Sequence, residues 1–218
     1  MAMRQLLIAT RNPAKLAEYR LILRAAGIEL EPVSLADRGI FETPEETGAT
    51  FTENALIKAR FYFKRARIAT LADDGGLEID ALGGEPGVRS HRWLGSGGNE
   101  NDSDQALVAE VIRRMKGVAA ARRTARIRAA IALICEDGGV VREKTAEAAI
   151  EGAIAERAYP EIRAGFPYRA VLVIPARNCY LGELGDQEEA QLSQRRIAVL
   201  ELRDEFERIA AGRGAQLL

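Results

Sequence analysis

The sequence predicts an α/β fold, a mixed twisted sheet with helices on its faces. Three features carry that expectation. Short apolar runs alternate with helix-period segments through the first half, a long hairpin pattern fills the middle, and a helical pattern closes the chain.

In order, Gln5 to Thr10 reads as a short buried strand. Leu16, Tyr19, Leu23 and Ala26 then fall on one helical face up to Gly27, a residue suited to a C′ stop. Thr50-Phe51-Thr52-Glu53 has the form of a capping box and opens a helix through Ala55, Ala59 and Tyr62 to about Ala66. Ile68 to Ala72 is a second apolar strand, expected to end at Asp73-Asp74-Gly75-Gly76, where the glycines would let the chain turn sharply. Leu82 to Gly98, rich in Gly, reads as loop, and Asp102 or Ser103 caps a helix carrying Leu107, Val111, Ile112 and Met115 to Gly117. Arg126 to Cys135 and Val140 to Gly152, joined by Glu136-Asp137-Gly138-Gly139, predict a long hairpin. Ala170 to Ile174 and Cys179 to Leu184 supply further strand. Leu192, Val199, Phe206 and Ile209 predict one long closing helix from Glu188 to Gly212.

With 218 residues, 47% of them hydrophobic, the chain can bury a full core. One domain over residues 1–218 is expected, with a second lobe formed mainly by the hairpin around 122–165. The apolar run Leu6 to Ala9 is far shorter than a signal segment or a membrane span, so no membrane and a cytoplasmic address are expected. Cys135 and Cys179 sit in separate apolar stretches and read as free thiols. A net charge of −1, with both signs interspersed, leaves no broad basic face for duplex nucleic acid. With His91 as its one histidine, the chain is a poor candidate for Ser-His-Asp, Cys-His or His-rich zinc chemistry. Carboxylates, lysines and a hard cation remain.

Thr10-Arg11-Asn12-Pro13-Ala14-Lys15 leads a strand into a helix, with Asn12 at the N-cap and Pro13 at the first helical position. Free amides, the helix dipole and Lys15 would together attract a phosphate there. Asn54 and Lys58, four residues apart, share a face of the next helix. Asp73 and Asp74 follow a buried strand, at the edge where open α/β sheets bind ligands, and a divalent cation would relieve their mutual repulsion. Glu45 and Glu46 stand ready to add a carboxylate. Oxygen ligands alone favour magnesium, with manganese as an alternative, over zinc. The implied chemistry is transfer of a phosphoryl or nucleotidyl group to water. In it Asp74 holds or deprotonates the water while Lys15 and Lys58 neutralise charge.

Taken together, these segments resemble the ITPase family, the inosine and xanthosine triphosphate pyrophosphatases. Thr10 to Lys15 is similar to its T-x-N-x-x-K, Glu45-Glu46-Thr47-Gly48 to E-E-T-G, and Phe51 to Ala59 to F-x-E-N-A-x-x-K-A. Ala72-Asp73-Asp74-Gly75-Gly76-Leu77 is similar to A-D-D-S-G-L, with Gly75 in place of the serine. Asp80 to Gly84, Pro86-Gly87-Val88 and Ser90-His91-Arg92-Trp93 are similar to D-x-L-G-G, P-G-V and S-A-R-Y. The resemblance implies two lobes with a central cleft along an elongated sheet, a homodimer, and a nucleoside triphosphate as substrate. It also implies Glu45, Asp74 and Asp73 at the metal, Asp74 as base, and Thr10, Asn12, Lys15, Asn54, Lys58, Gly75 and Arg92 around the substrate. Later positions depart from the pattern. Gly165-Phe166-Pro167-Tyr168-Arg169-Ala170 stands for G-F-G-Y-D-P, Ser193-Gln194-Arg195 stands for S-H-R, and Glu189 stands where a lysine is usual. By resemblance Phe166, Tyr168, Arg169, Gln194 and Arg195 lie on the base side, so their changes bear on base choice.

The expected activity is therefore hydrolysis of nucleoside triphosphates to monophosphate and pyrophosphate, with inosine, deoxyinosine and xanthosine triphosphates as first candidates. Two alternatives stand beside it. One keeps the chemistry with another base, modified or pyrimidine, and the other is a nucleotide-binding protein without turnover.

Overall fold

The computed structural model describes residues 3–95, 102–185, 188 and 191–212. Seven strands form one sheet: β1 (Arg4–Ile8), β2 (Leu30–Val33), β3 (Ala69–Ile79), β4 (Thr124–Asp137), β5 (Val140–Ile154), β6 (Leu172–Ile174) and β7 (Cys179–Tyr180). Their order is β2-β1-β3-β4-β5-β6-β7. The sheet is mixed: β2 and β3 both run parallel to β1, whereas β6 runs antiparallel to β5 and to β7. The helices accompanying it among the described residues include α1 (Pro13–Ala25), α2 (Phe51–Ala66), α3 (Asp104–Arg114), α4 (Gln194–Glu201) and α5 (Arg203–Ala211). None of the described helices is long and apolar enough to cross a membrane. Both cysteines are free.

The chain divides into two compact units. The first comprises residues up to Asp74, Ala129–Ala148 and Arg195 onward. It is layered. On one face of its strands Tyr19, Ile22 and Leu23 of α1 pack with Val199, Phe206 and Ile209 of α4 and α5 over Leu6, Ile8 and Leu71. On the other face Ala55, Ala59, Tyr62 and Phe63 of α2 cover Leu7, Ala9 and Ala72. The alternation Leu6/Ile8 against Leu7/Ala9 is the period-two pattern of a strand covered on both sides. The second unit comprises Gly75–Arg128 and Ala149–Gln194 and has a core of its own, in which Leu107 and Val111 of α3, with Met115 at its C-cap, meet Leu77, Ile79, Ile150 and Leu172. There the buried Arg123 donates to the carbonyls of Met115 and Val118, just past α3, and to that of Ile154, ending β5. The hairpin expected to build a lobe around 122–165 is shared: its closed end belongs to the first unit and its base to the second.

The local signals at helix starts hold. Asn12 caps α1 with Pro13 inside it, and Gly27 follows with φ +66°. At α2 the Thr50 hydroxyl accepts from Glu53 N–H while the Glu53 carboxylate accepts from Thr50 N–H, a complete capping box. Ser103 caps α3. Three expectations change. β3 does not stop at Asp73 but runs through Asp73-Asp74-Gly75-Gly76 to Ile79, and neither glycine takes a positive φ. Gly76 answers to space instead, since a Cβ there would overlap the Ser90 side chain and lie 2.9 Å from Gly87 O. Ser90 Oγ accepts from Leu77 N–H and donates to Gly87 O, which is why that approach is so close. The closing helix is interrupted at Leu202, whose N–H turns to Val199 O three residues back, so α4 and α5 are separate segments. Strand β6 begins only at Leu172 because Pro167–Ala170 forms a 3₁₀ turn, and β7 is cut to two residues by another at Leu181–Glu183.

Candidate active site

The site in the first unit follows from the unequal lengths of β1 and β3. Ile8 pairs with Leu71, Ala9 N–H donates to Leu71 O at 2.8 Å, and β1 then leaves the sheet toward the Asn12 cap. β3 continues, so Asp73 and Asp74 sit where it has lost that neighbour. Successive side chains leave a strand on opposite faces. Leu71 enters the α1-side core and Ala72 the α2-side core, and the two aspartates keep the alternation.

Asp73 meets the α1 side. Its Oδ2 accepts from Lys15 Nζ at 2.9 Å and from Arg195 Nε at 3.0 Å. Arg195 Nη1 reaches Glu18 Oε2 at 3.2 Å. Burial pushes the Asp73 carboxyl up, but Lys15 and Arg195 outweigh it and hold the group well below the usual carboxylate range. Lys15 is lowered, because burial outweighs the attraction of Asp73. Asp73 Oδ1 and the buried Tyr19 hydroxyl meet no hydrogen-bond partner.

Asp74 meets the α2 side. Lys58 Nζ donates to its Oδ1 at 2.9 Å, and Asn54 Nδ2 to its Oδ2 at 3.2 Å. Burial raises the Asp74 carboxyl despite Lys58 and Lys15, so its charged form is disfavoured where that of Asp73 is favoured. Lys58 is itself raised; burial lowers it, but Asp74 and Glu46 together prevail. Each lysine lowers the other's acid as well as its own, which couples the two sides electrostatically.

The loop before α2 is tied to the same point. Asn54 Oδ1 accepts from Gly48 N–H at 2.8 Å, so one fully buried amide holds both Asp74 and the loop. A Cβ on Gly48 would come within 2.7 Å of Asn54 Oδ1 and of Glu53 Cβ, which explains a glycine at this position. The loop brings Glu46 Oε1 to 3.4 Å from Lys58 Nζ, while Glu45 is exposed. Of the glutamate pair, Glu46 therefore faces the acid–lysine cluster.

At the start of α1 the expected free amides are occupied. Asn12 Oδ1 accepts from Ala14 N–H (2.9 Å) and Lys15 N–H (3.3 Å), and Thr10 Oγ1 accepts from Asn12 N–H (3.1 Å). A phosphate at this helix end would meet the Lys15 charge and the dipole before any free donor.

The second unit holds the remaining sequence-predicted residues. Gly75 lies within β3, and Arg92 and Gln194 are part-buried and buried. Phe166, Tyr168 and Arg169 are all buried. The Arg169 guanidinium stacks on the Phe166 ring at 4.0 Å, with Arg163 at 5.9 Å from the same ring, and the Tyr168 hydroxyl donates to Ser90 O. Glu189 lies outside the described residues. Sequence reasoning missed Glu18, and it quoted Gly48 in the E-E-T-G-like segment without giving it a role in the site. Glu18 had one signal, its place one turn after Lys15 on the same helix.

For a metal the donors are hard carboxylate oxygens, and the unpartnered Asp73 Oδ1 leaves one lone pair unanswered in the interior. Among the described residues no group of three acids is preassembled. Carboxylate oxygens of this kind suit a hard divalent cation.

Comparison with known proteins agrees with this geometry. The sequence pattern of the Ham1 family matches residues 6–205. The chain belongs to the Ham1 family. A relative from Bacillus subtilis (strain 168), named dITP/XTP pyrophosphatase, is 38% identical over 92% of this chain and 96% of its own. A protein of the same name from Mycolicibacterium paratuberculosis (strain ATCC BAA-968 / K-10) is 40% identical over 97% of this chain and all of its own. The solved Ham1 protein of Staphylococcus aureus superposes with a TM-score of 0.77 at 27% identity, over 94% of this chain and 98% of that one. A nucleoside-triphosphatase / dITP/XTP pyrophosphatase from Mycobacterium abscessus gives 0.69 at 36% identity, over 91% and 97%. The Ham1 match spans Lys15, Lys58, Asp73, Asp74 and Arg195 alike.

Proposed function

We propose that this chain hydrolyses nucleoside triphosphates to the monophosphate and pyrophosphate, acting on deaminated purine nucleotides such as inosine, deoxyinosine and xanthosine triphosphates. The observation that carries the reading is the Asp74 cluster. A carboxylate with a raised proton affinity is fixed by Lys58 and Asn54 beside a second lysine, in a chain whose full-length relatives bear the name dITP/XTP pyrophosphatase.

Asp74 accepts a proton from the attacking water, whose oxygen bonds to the α-phosphorus as the bond to the bridging oxygen breaks and pyrophosphate leaves. Asn54 keeps Asp74 oriented. Lys58 and Lys15, each already beside an acid, turn part of their charge to the phosphate chain, where negative charge grows on the leaving group. A divalent ion, magnesium or manganese, would be held by Asp74 and the Glu45–Glu46 pair, with Asp73 behind them. When bound it supplies a Lewis acid for the phosphate oxygens. Asp73 is the least suited of these, because its Oδ2 is engaged by two cations and its side chain is 1% exposed. The reading places the protein in the cytoplasm, where nucleotides are deaminated, and as a homodimer.

A second reading, the same chemistry with another preferred base, is favoured by Arg169, a buried cation where the resemblance expects an acid. Incubating the protein with magnesium and a panel of triphosphates decides between them. Pyrophosphate release from the inosine and xanthosine nucleotides, abolished by chelation and restored by magnesium, is the expected outcome. Preference for a pyrimidine nucleotide selects the second reading, and orthophosphate as product, or tight binding without turnover, removes both.

A further inference from the structure

Two acids flank the cap of α3, and both reach past the helix. Ser103 is the cap itself, its Oγ accepting from Ala106 N–H at 3.2 Å. Asp104, the first residue of α3, sends its carboxylate to a distant loop, where Oδ2 accepts from Gly165 N–H at 2.7 Å although 61 positions separate the two. Asp102 ties a third segment: its Oδ2 accepts from Leu94 N–H at 2.7 Å, and its own N–H donates to His91 O at 2.7 Å. Bonds to an ionised acceptor are short and stronger than neutral ones. Gly165 opens the turn Gly165-Phe166-Pro167-Tyr168-Arg169 at φ +78°, so the N–H that Asp104 receives is aimed by a conformation that favours glycine. The far end of the turn is tied as well, because the buried Tyr168 hydroxyl donates to Ser90 O. Burial, with Asp102 and Asp104 nearby, pushes that hydroxyl far up, so it stays a donor. All of these residues belong to the second unit.

The turn has little else to fix it. Phe166 N–H donates to Arg163 O at 2.9 Å, but the bonds that follow, Arg169 N–H to Phe166 O at 3.3 Å and Val171 N–H to Tyr168 O at 3.2 Å, are the long ones of a 3₁₀ turn. Its position therefore depends on the two side-chain ties. Between them lies the Phe166 ring with the Arg169 guanidinium stacked on it. We propose that Asp104 is a positioning residue for nucleotide binding: by holding Gly165 it fixes the start of the turn, so that Phe166 and Arg169 meet the base in one arrangement. The inference rests on the triphosphate-hydrolase reading, which puts this turn on the base side, and it gives Asp104 no contact with the substrate. The base is remote from the phosphorus where bonds change, so contacts to it are equal in ground and transition states and act on KM.

Asp104→Ala should raise KM for inosine and xanthosine triphosphates about 5- to 20-fold, with kcat changed by less than about 3-fold. Asp104→Asn keeps an oxygen that can accept from Gly165 N–H, and should bring KM back to within about 3-fold of the unaltered protein. A merely structural role gives another pattern, since partial unfolding removes active protein and lowers apparent kcat while KM stays. An unchanged KM in Asp104→Ala, a fall in kcat that accounts for the whole loss, or Asp104→Asn as impaired as Asp104→Ala overturns the proposal. If Asp104→Ala does not fold, Asp104→Ser, whose hydroxyl is too short to reach Gly165, carries the same test with the same expected rise in KM, and an unchanged KM overturns it. Turnover by the unaltered protein is measured alongside. Its absence removes the hydrolase reading and the proposal together, whereas normal turnover with KM unmoved by the Asp104 variants removes the proposal alone.

Discussion

Asp73 and Asp74 are neighbours in sequence and opposites in environment. One faces α1, is sealed and carries two cations on a single oxygen, which keeps it ionised. The other faces α2, is 12% exposed and is held by one lysine and one neutral amide, which leaves its proton affinity raised. The same side chain thus becomes an internal anchor on one face of β3 and a reactive group on the other. What separates them is the number of cations in contact: Lys15 of α1 and Arg195 of α4 on Asp73, against Lys58 of α2 on Asp74.

The contrast breaks most visibly at Asp74. Asp74→Asn should lower kcat roughly 10³-fold, the loss expected when a general base is removed. The thermal midpoint should change little, since an uncharged group suits a place where burial already disfavours the charge. Steady-state kinetics with a thermal melt check both halves. A variant that keeps a tenth of its activity would show that the base lies elsewhere.

Asp73→Asn should give the reverse balance. It leaves Lys15 and Arg195 buried without their shared counter-ion, so about 3 kcal/mol or more of stability should be lost, read as a fall in the denaturant midpoint. Activity should fall only as far as Lys15 is displaced. If Asp73→Asn melts like the unaltered protein, the anchor role assigned to Asp73 is wrong.

Gly48→Ala probes the connection between loop and acid. The added methyl would crowd Asn54 Oδ1 and Glu53 Cβ, with an overpacking penalty of about 1–3 kcal/mol. Because Asn54 also holds Asp74, kcat should fall several-fold with it, whereas an alanine at an unconnected loop glycine would affect stability alone. Unchanged kinetics would disconnect the Gly48–Asn54–Asp74 chain from the reaction.

How far the sequence foretold this depends on the range of the forces involved. Asn12, Thr50 and Ser103 announced three helix starts because a cap is a contact within a few residues, and the apolar periods of α1 and α2 marked the faces they bury. Lys15, Lys58, Asp73 and Asp74 were legible as a set, and the structure does bring them together. Their pairing was not. β3 continues past Asp73 beside β4, with Ser90 packed over Gly76, and these contacts, fourteen or more residues away along the chain, leave no local pattern. The continued strand is what sends the two acids to opposite faces, so their expected mutual repulsion gives way to two separate ion pairs. Arg195 shows the same limit more sharply, since its partners Asp73 and Glu18 lie 122 and 177 positions back.

The smallest expected effect sharpens the comparison by leaving it untouched. Thr50 and Asn12 both cap helices of the first unit, but only Asn12 adjoins Lys15; Thr50 binds Glu53, which faces the loop and not the acids. Thr50→Ala should therefore lose about 1 kcal/mol, the ordinary worth of a cap, while kcat and KM stay as they were. Helix α2 carries Asn54 and Lys58 one and two turns further on, where hydrophobic packing of Ala55, Ala59 and Tyr62 holds its position independently of the cap. A measurable fall in kcat for this variant would mean that fraying at Thr50 reaches Asn54, and that the site on the Asp74 side depends on the helix end and not on the packed face beneath it.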